Sequence, residues 1–350
     1  MKHFLFYSFL IIIVYSIGYL NSNKYEYEFM DKIHTNIIKG IAILLVVTAH
    51  IDAYWSNIGG IQFIGGVGVS LFLICSGYGL YCSYTNVGLK NYFKKKIVKI
   101  WIPFMLVEIL FMPLWNTISI KKVALDLLLI KPITSFGWYM NYIMICYIIF
   151  YFVITIKEHK KISDTETLKI FLVIFTIWFI LESTLLVNPD IPMLKSQQML
   201  SFIFGIYLAQ NKNKIISMRI GLVNIIIGII MMGVTQIDVV KNLNFLEYNI
   251  LSLLTVFPIA VGVLSITHKY KVLFQSKILF FISNISYEIY LVHQYSINIL
   301  IKIKKYEGII IFLLATLLLA YLLSLISNKF IKGLVRRSVN NDRFNGSYIN

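Results

Sequence analysis

Long apolar runs separated by short polar connections set the pattern of this chain. Runs long enough to cross about 30 Å of hydrocarbon lie near residues 4–20, 33–51, 61–81, 97–118, 138–156 and 169–187. Others lie near 197–210, 216–235, 250–267, 278–300 and 309–331. They predict eleven helical spans, the shortest of them over 197–210. Backbone groups in lipid must be satisfied within the protein, which leaves helices as the economical solution. With no polar domain, internal repeat or low-complexity tract between the runs, the expected fold class is all-α, a polytopic transmembrane helical bundle.

Composition agrees with that pattern. Hydrophobic residues make up 58% of the 350 positions and charged residues 14%, against about a quarter charged in soluble domains. The formal charge of +16 raises the question of nucleic acid. The basic residues sit in the short connections, where the positive-inside rule accounts for them, so nucleic-acid binding is disfavoured. Alternate connections hold 22 and 9 Lys and Arg residues, with Lys39 inside a span. The richer side is expected to be cytoplasmic, which puts the C-terminus inside and residues 52–60 outside. The run 4–20 lacks a small-x-small cleavage site after it and is expected to stay as an uncleaved first helix. Three segments follow: an extra helix and connector over 1–30, a membrane domain over 31–335 and a polar cytoplasmic tail over 336–350. Cys75, Cys82 and Cys146 have no metal or disulfide spacing, and the six histidines form no HxH or HExxH pair, so no metal site is expected.

A charge at bilayer depth costs about 2.5–3.5 kcal/mol on insertion scales, so ionisable residues inside spans are functional candidates. They are Lys39, His50, Glu108, Glu182, Glu288 and His293. Lys39 and His50 stand eleven residues apart, close to three whole turns, and so share a helix face roughly 16 Å apart along the axis. Snorkelling to the two interfaces explains them; a polar stripe lining a cavity explains them equally. In "FISNISYEIYLVHQ", residues 281–294, an unbroken helix would turn Ser283, Ser286, Tyr290 and His293 to one side. An imidazole among hydroxyls suits proton transfer near neutral pH, and such clusters also tie membrane helices together. The lysines of "LKNYFKKKIVKIWIPF", residues 89–104, suit anionic lipid or the phosphates of a nucleotide-bearing donor.

Taken in order, these stretches resemble the acyltransferase 3 family of membrane O-acyltransferases. Lys39 to His50 is similar to the family's basic-x10-His motif, "GVSLFLICSGY" to its next helix, and "KKKIVKIWIP" to the basic stretch and proline opening the third. "GWYMNYIMICY", "FIFGIYLA" and "ISYEIYLVH" resemble its Trp-Tyr, Phe-x-x-Gly and Ser-Tyr-x-x-Tyr-Leu-x-His segments, so the likeness runs over about residues 33–331. Where Lys39, Asn36 and Ser70 stand, the family commonly has Arg, Asp and an acidic residue. The resemblance implies a ten-helix core preceded here by one extra helix. It also implies transfer of an acyl group, expected to be acetyl, from cytoplasmic acetyl-CoA to a hydroxyl of a cell-surface polysaccharide or lipid-linked saccharide. His50 and Lys39 would be the catalytic pair, and Ser76, Trp138, Ser286, Tyr290 and His293 would bind substrate or line the path. The expected partners are membrane lipids, the acyl donor and the glycan acceptor, at the cell membrane. A saccharide-lipid transporter or flippase without acyl transfer is the alternative. A polyprenyl-phosphate glycosyltransferase fits less well, because the 52–60 connection offers only Asp52 as an acidic residue.

Overall fold

The computed structural model describes residues 20, 26–56, 61–112, 119–133, 137–185, 195–212, 214–300 and 305–345, with 56, 305–307 and 331–345 described by backbone alone. Every regular element among them is helical. In chain order the main helices are α1 (Lys32–Ile51), α2 (Phe63–Val87), α3 (Ile102–Phe111), α4 (Trp138–Lys160), α5 (Asp164–Thr184) and α6 (Met199–Gln210). They continue with α7 (Met218–Val234), α8 (Phe245–Ser252), α9 (Val256–Lys269), α10 (Lys277–Asn284), α11 (Ser286–Leu300) and α12 (Lys305–Asn345). The predicted helix over 4–20 falls outside the described residues except for Leu20.

Helix starts follow local chemistry. Asp31 caps α1 by accepting from the His34 backbone N–H at 2.7 Å, and Ser163 and Glu166 form a reciprocal capping box at α5. Ser217 and Asn244 cap α7 and α8 in the same way, each satisfying a donor that an open helix end would leave bare.

Among the described residues, six helical stretches are long and apolar enough to cross a membrane: Lys32–Trp55, Phe63–Val87, Trp138–Lys160, Asp164–Thr184, Phe245–Lys269 and Gly308–Phe330. The helices α6 and α7 are apolar but shorter. Two predicted spans are built from pieces. The 97–118 run starts as a π-helical turn over Ile97–Trp101 and passes into α3. The 278–300 run is interrupted at Ile285, between α10 and α11. At the C-terminal end, α12 continues through the first part of the predicted polar tail, to Asn345.

The chain forms two compact units, one of Met1–Leu89 with Ala124–Asn284 and one of Lys90–Val123 with Ile285–Asn350. In the first, α2 packs between α1 and α6, α9 pairs with α7, and α10 lies along α1. Ile38, Ala42, Leu71, Ile74, Ala260 and Leu264 are fully buried at its centre. In the second, α11 packs against α3 and α12.

The α2–α6 crossing is set by glycine. A Cβ placed on Gly77 would lie 2.1 Å from the Phe202 carbonyl oxygen, and one on Gly205 would lie 2.1 Å from the Ile74 carbonyl oxygen. The two backbones touch directly, the close approach that small residues permit between membrane helices. Gly79, two residues on and so on the opposite face of the same helix, has nothing within 4 Å of its Cβ position. Gly77→Ala should therefore lower the thermal midpoint of the detergent-purified protein, by the equivalent of about 1–3 kcal/mol of overpacking. Gly79→Ala should leave it unchanged or raise it slightly, as a helix former replacing glycine does.

Candidate functional site

Helix α1 carries Lys39 and His50 without interruption, so the face they share in the sequence is shared in the fold. Both side chains are half-buried. Lys39 lies within electrostatic reach of the Cys75 thiol on α2, and the same thiol approaches the Thr35 carbonyl at 4.0 Å. His50 stands one residue from Ala49, whose Cβ lies 2.9 Å from where a Cβ on Gly65 would be. Immediately beyond it the α-helix opens into a π-helical turn, Asp52–Ser56, with the Asp52 side chain buried. Such turns re-aim side chains and recur at functional sites.

The first unit also holds Ser76 and Trp138. The Tyr147 hydroxyl on α4 donates to Ser76 Oγ at 3.5 Å. Trp138 opens α4, buried, with its ring edge-on to Tyr142 at 6.2 Å. Ser286, Tyr290 and His293 belong to the second unit, where all three are buried on α11. His293 Nδ1 lies 2.6 Å from the Tyr290 carbonyl oxygen. A carbonyl only accepts, so in the neutral ring the proton sits on Nδ1 and Nε2 is the basic nitrogen. Ser283 lies on the other side of the interruption at Ile285, on α10, in the first unit. Nearby on α11, the Tyr295 hydroxyl donates to the Glu108 carboxylate, and the Tyr287 hydroxyl donates to the Ile100 carbonyl at 2.6 Å, within the Ile97–Trp101 π-helical turn.

Three polar centres were not assembled by the sequence reading, although it named Ser70 and Glu182 singly. His34, fully buried at the start of α1, accepts from the Met30 backbone N–H through Nδ1 at 2.9 Å. Nε2 therefore carries the proton and donates to Thr267 Oγ1 at 2.9 Å, and that hydroxyl donates in turn to the Val263 carbonyl. Tyr27 stacks on the His34 ring at 5.4 Å, so α1 is pinned to α9 five residues before Lys39. The second centre is Ser70, which donates to Gln198 Oε1 at 2.6 Å, while Gln198 Nε2 donates to the Gly66 carbonyl at 3.0 Å. The third is the ion pair of Lys195 and Glu182 at 3.0 Å. Polar residues at the edges of apolar runs were the available signal: "DKIH" before α1 and "KSQQ" before α6. Among the described residues no three His, Cys, Asp or Glu side chains come together as a metal site would require.

A family model described as an acyltransferase domain matches residues 34–328. The chain belongs to that family. The match begins at His34 and takes in every candidate residue above, in both units. No curated protein and no solved structure matches the chain. The family and the apolar helices together make the protein a multi-pass membrane acyltransferase.

His34→Ala should lower the thermal midpoint by the equivalent of about 2–4 kcal/mol, from a buried donor left bare and a cavity. His34→Asn, which keeps an acceptor near the Nδ1 position, should lose less. Differential scanning fluorimetry of the three proteins in one detergent orders them.

Proposed function

We propose that the protein transfers acetyl from cytoplasmic acetyl-CoA to a hydroxyl of a cell-surface polysaccharide or lipid-linked saccharide, as an O-acyltransferase of the cell membrane with its C-terminus in the cytoplasm. The observation that carries this reading is the unbroken α1, with a cation two turns in from its start and an imidazole at its last turn, on one face. The interval assigns the two residues different work. Eleven residues of helix separate them by roughly 16 Å, so they cannot act on the same carbonyl.

His50 is then the general base. It takes the proton from the acceptor hydroxyl as that oxygen attacks the thioester carbonyl. The tetrahedral intermediate collapses, the carbon–sulfur bond breaks, and the CoA thiolate leaves and takes up a proton. Histidine's ordinary pKa near 6.5 suits both halves of that exchange. Lys39 holds the anionic part of the donor. As an ammonium it supplies a point charge without the bidentate fork of an arginine. Ser76 and Trp138, and on the other unit Ser286, Tyr290 and His293, bind substrate or line the path.

The basic stretch ahead of α3 supports an anionic donor. Lys94, Lys95 and Lys96 crowd one short helix with Lys99 in the turn that follows. Partial burial, and then the charges of Lys99 and Lys95, pull the Lys96 ammonium down to about 8. The stretch therefore carries one positive charge fewer once pH rises through that value, and regains it below.

Two outcomes test this. In a deletion strain, the wild-type chain should restore acetyl ester on surface glycans, and His50→Ala at equal protein level should restore roughly 100- to 10,000-fold less, the contribution of a general base. For the purified enzyme, KM for acetyl-CoA should rise as pH passes from below to above about 8. Lys96→Arg, charged throughout, should flatten that rise; an unchanged profile removes Lys96 from donor binding.

A further inference from the structure

The helix α12 does not stop where its span stops. Gly308–Phe330 is long and apolar enough to cross a membrane, and the backbone continues as helix to Asn345. Residues 329–345 hold Lys329, Lys332, Arg336, Arg337 and Arg343 against one acid, Asp342. The proposed reaction uses none of them.

Their places on the helix say more than their number. At 3.6 residues per turn, with Lys329 at zero, Arg336 falls at about 340°, Arg343 at about 320° and Lys332 at about 300°. Four of the five cations therefore share a stripe about 60° wide, and Arg337 and Asp342 fall outside it. The span fixes which side that is. Its buried residues Phe312, Ala320, Leu323 and Ser327 fall between about 100° and 180° on the same scale. Its exposed leucines Leu314, Leu318 and Leu325 fall between about 300° and 340°. The basic stripe continues the face that the span turns to lipid.

That register decides the partner. Within its unit, α12 packs against α11, α3 and the Ile97–Trp101 turn that follows the lysines proposed to meet the donor. The stripe lies on the other side of the helix, where the span meets the bilayer. Headgroups reach about 5–7 Å beyond the hydrocarbon on each side. Lys332 stands about 3 Å and Arg336 about 9 Å past Phe330 along the axis, within the span of a long basic side chain. Arg343, about 20 Å out, joins them when the extension leans toward its stripe, and Gly333 is where a helix resists that least. Anionic headgroups attract cations placed just outside a span. We propose that Lys329, Lys332, Arg336 and Arg343 form a docking surface for the anionic headgroups of the adjoining leaflet, which draws the end of α12 towards the bilayer surface. In the proposed orientation that leaflet is the cytoplasmic one.

The test is hydrogen–deuterium exchange over residues 333–345 of the full chain, in nanodiscs of phosphatidylcholine alone or mixed with phosphatidylglycerol. The two leaflets of a nanodisc are alike and no ester is measured, so the outcome is independent of the proposed orientation and reaction. Exchange should slow about 25-fold or more in the anionic discs, from about fivefold for each of two cations at the surface. Arg336→Gln/Arg343→Gln should remove most of that protection. Arg336→Ser/Ser338→Arg combined with Arg343→Asn/Asn341→Arg keeps the net charge but moves two cations off the stripe, and should lose as much. All these positions lie beyond the span, so the packed helices are left as they are. Equal exchange in the two kinds of disc overturns the proposal, as does full protection in the variant with relocated charges. The same protection from inorganic phosphate added to phosphatidylcholine discs overturns it too, because the ligand is then a soluble anion.

Discussion

Polar groups placed in an apolar layer must find their partners inside the protein, and that constraint organises this molecule. Several hydroxyl, amide and imidazole groups buried in the first unit are met by a partner from another part of the chain. His34 reaches Thr267, Ser70 reaches Gln198, and Asn249 donates to Ser183 at 3.0 Å. At the other end of α2 the Tyr81 hydroxyl donates to Asp164, which also takes the Lys157 ammonium, both at 2.6 Å. Each bond costs little in gross terms to make and much to leave unmade. Together they fix which helices are neighbours. Apolar side chains facing lipid, such as Ile226, Ile230 and Leu318, carry no such information.

The proposed chemistry is divided between units of different construction. In the first, α1 is held along its length by α2 and α10, and by the His34 pin at its start. The second is smaller and leans on aromatic stacking, with Phe111 and Tyr295 parallel at 4.4 Å. The pair on α1 is thereby set in a well-tied frame, whereas the α11 trio belongs to a body built on fewer contacts.

Much of this was legible in the sequence for a physical reason: a charge in lipid is costly enough to stand out. Lys39 and His50 declared themselves that way, and their spacing alone placed them on one face. The all-helical class followed from the length of the apolar runs. His34 was not legible because a polar residue at the start of a span is explained by the interface, and only the fold shows that it is fully buried. Lys195 hid in a connection, where polar residues carry no signal, and Gln198 at the opening of the 197–210 run. The break at Ile285 was invisible as well. "ISNIS" contains no glycine or proline, and serine and asparagine disfavour a helix only mildly, so periodicity carried the reckoning straight through the break.

The helix that carries Lys39 and His50 also acts as a ruler. Its backbone hydrogen bonds fix a rise of about 1.5 Å per residue, and its packing leaves little freedom to bend, so the interval between cation and imidazole is a length the protein imposes on its donor. A molecule anchored by its anionic head at one mark can present its acyl carbon at the other only if a flexible arm of matching reach joins the two. In the proposed reaction, a thioester on a long carrier meets that measure. A compact acyl phosphate, with charge and carbonyl side by side, would occupy one mark and leave the other empty.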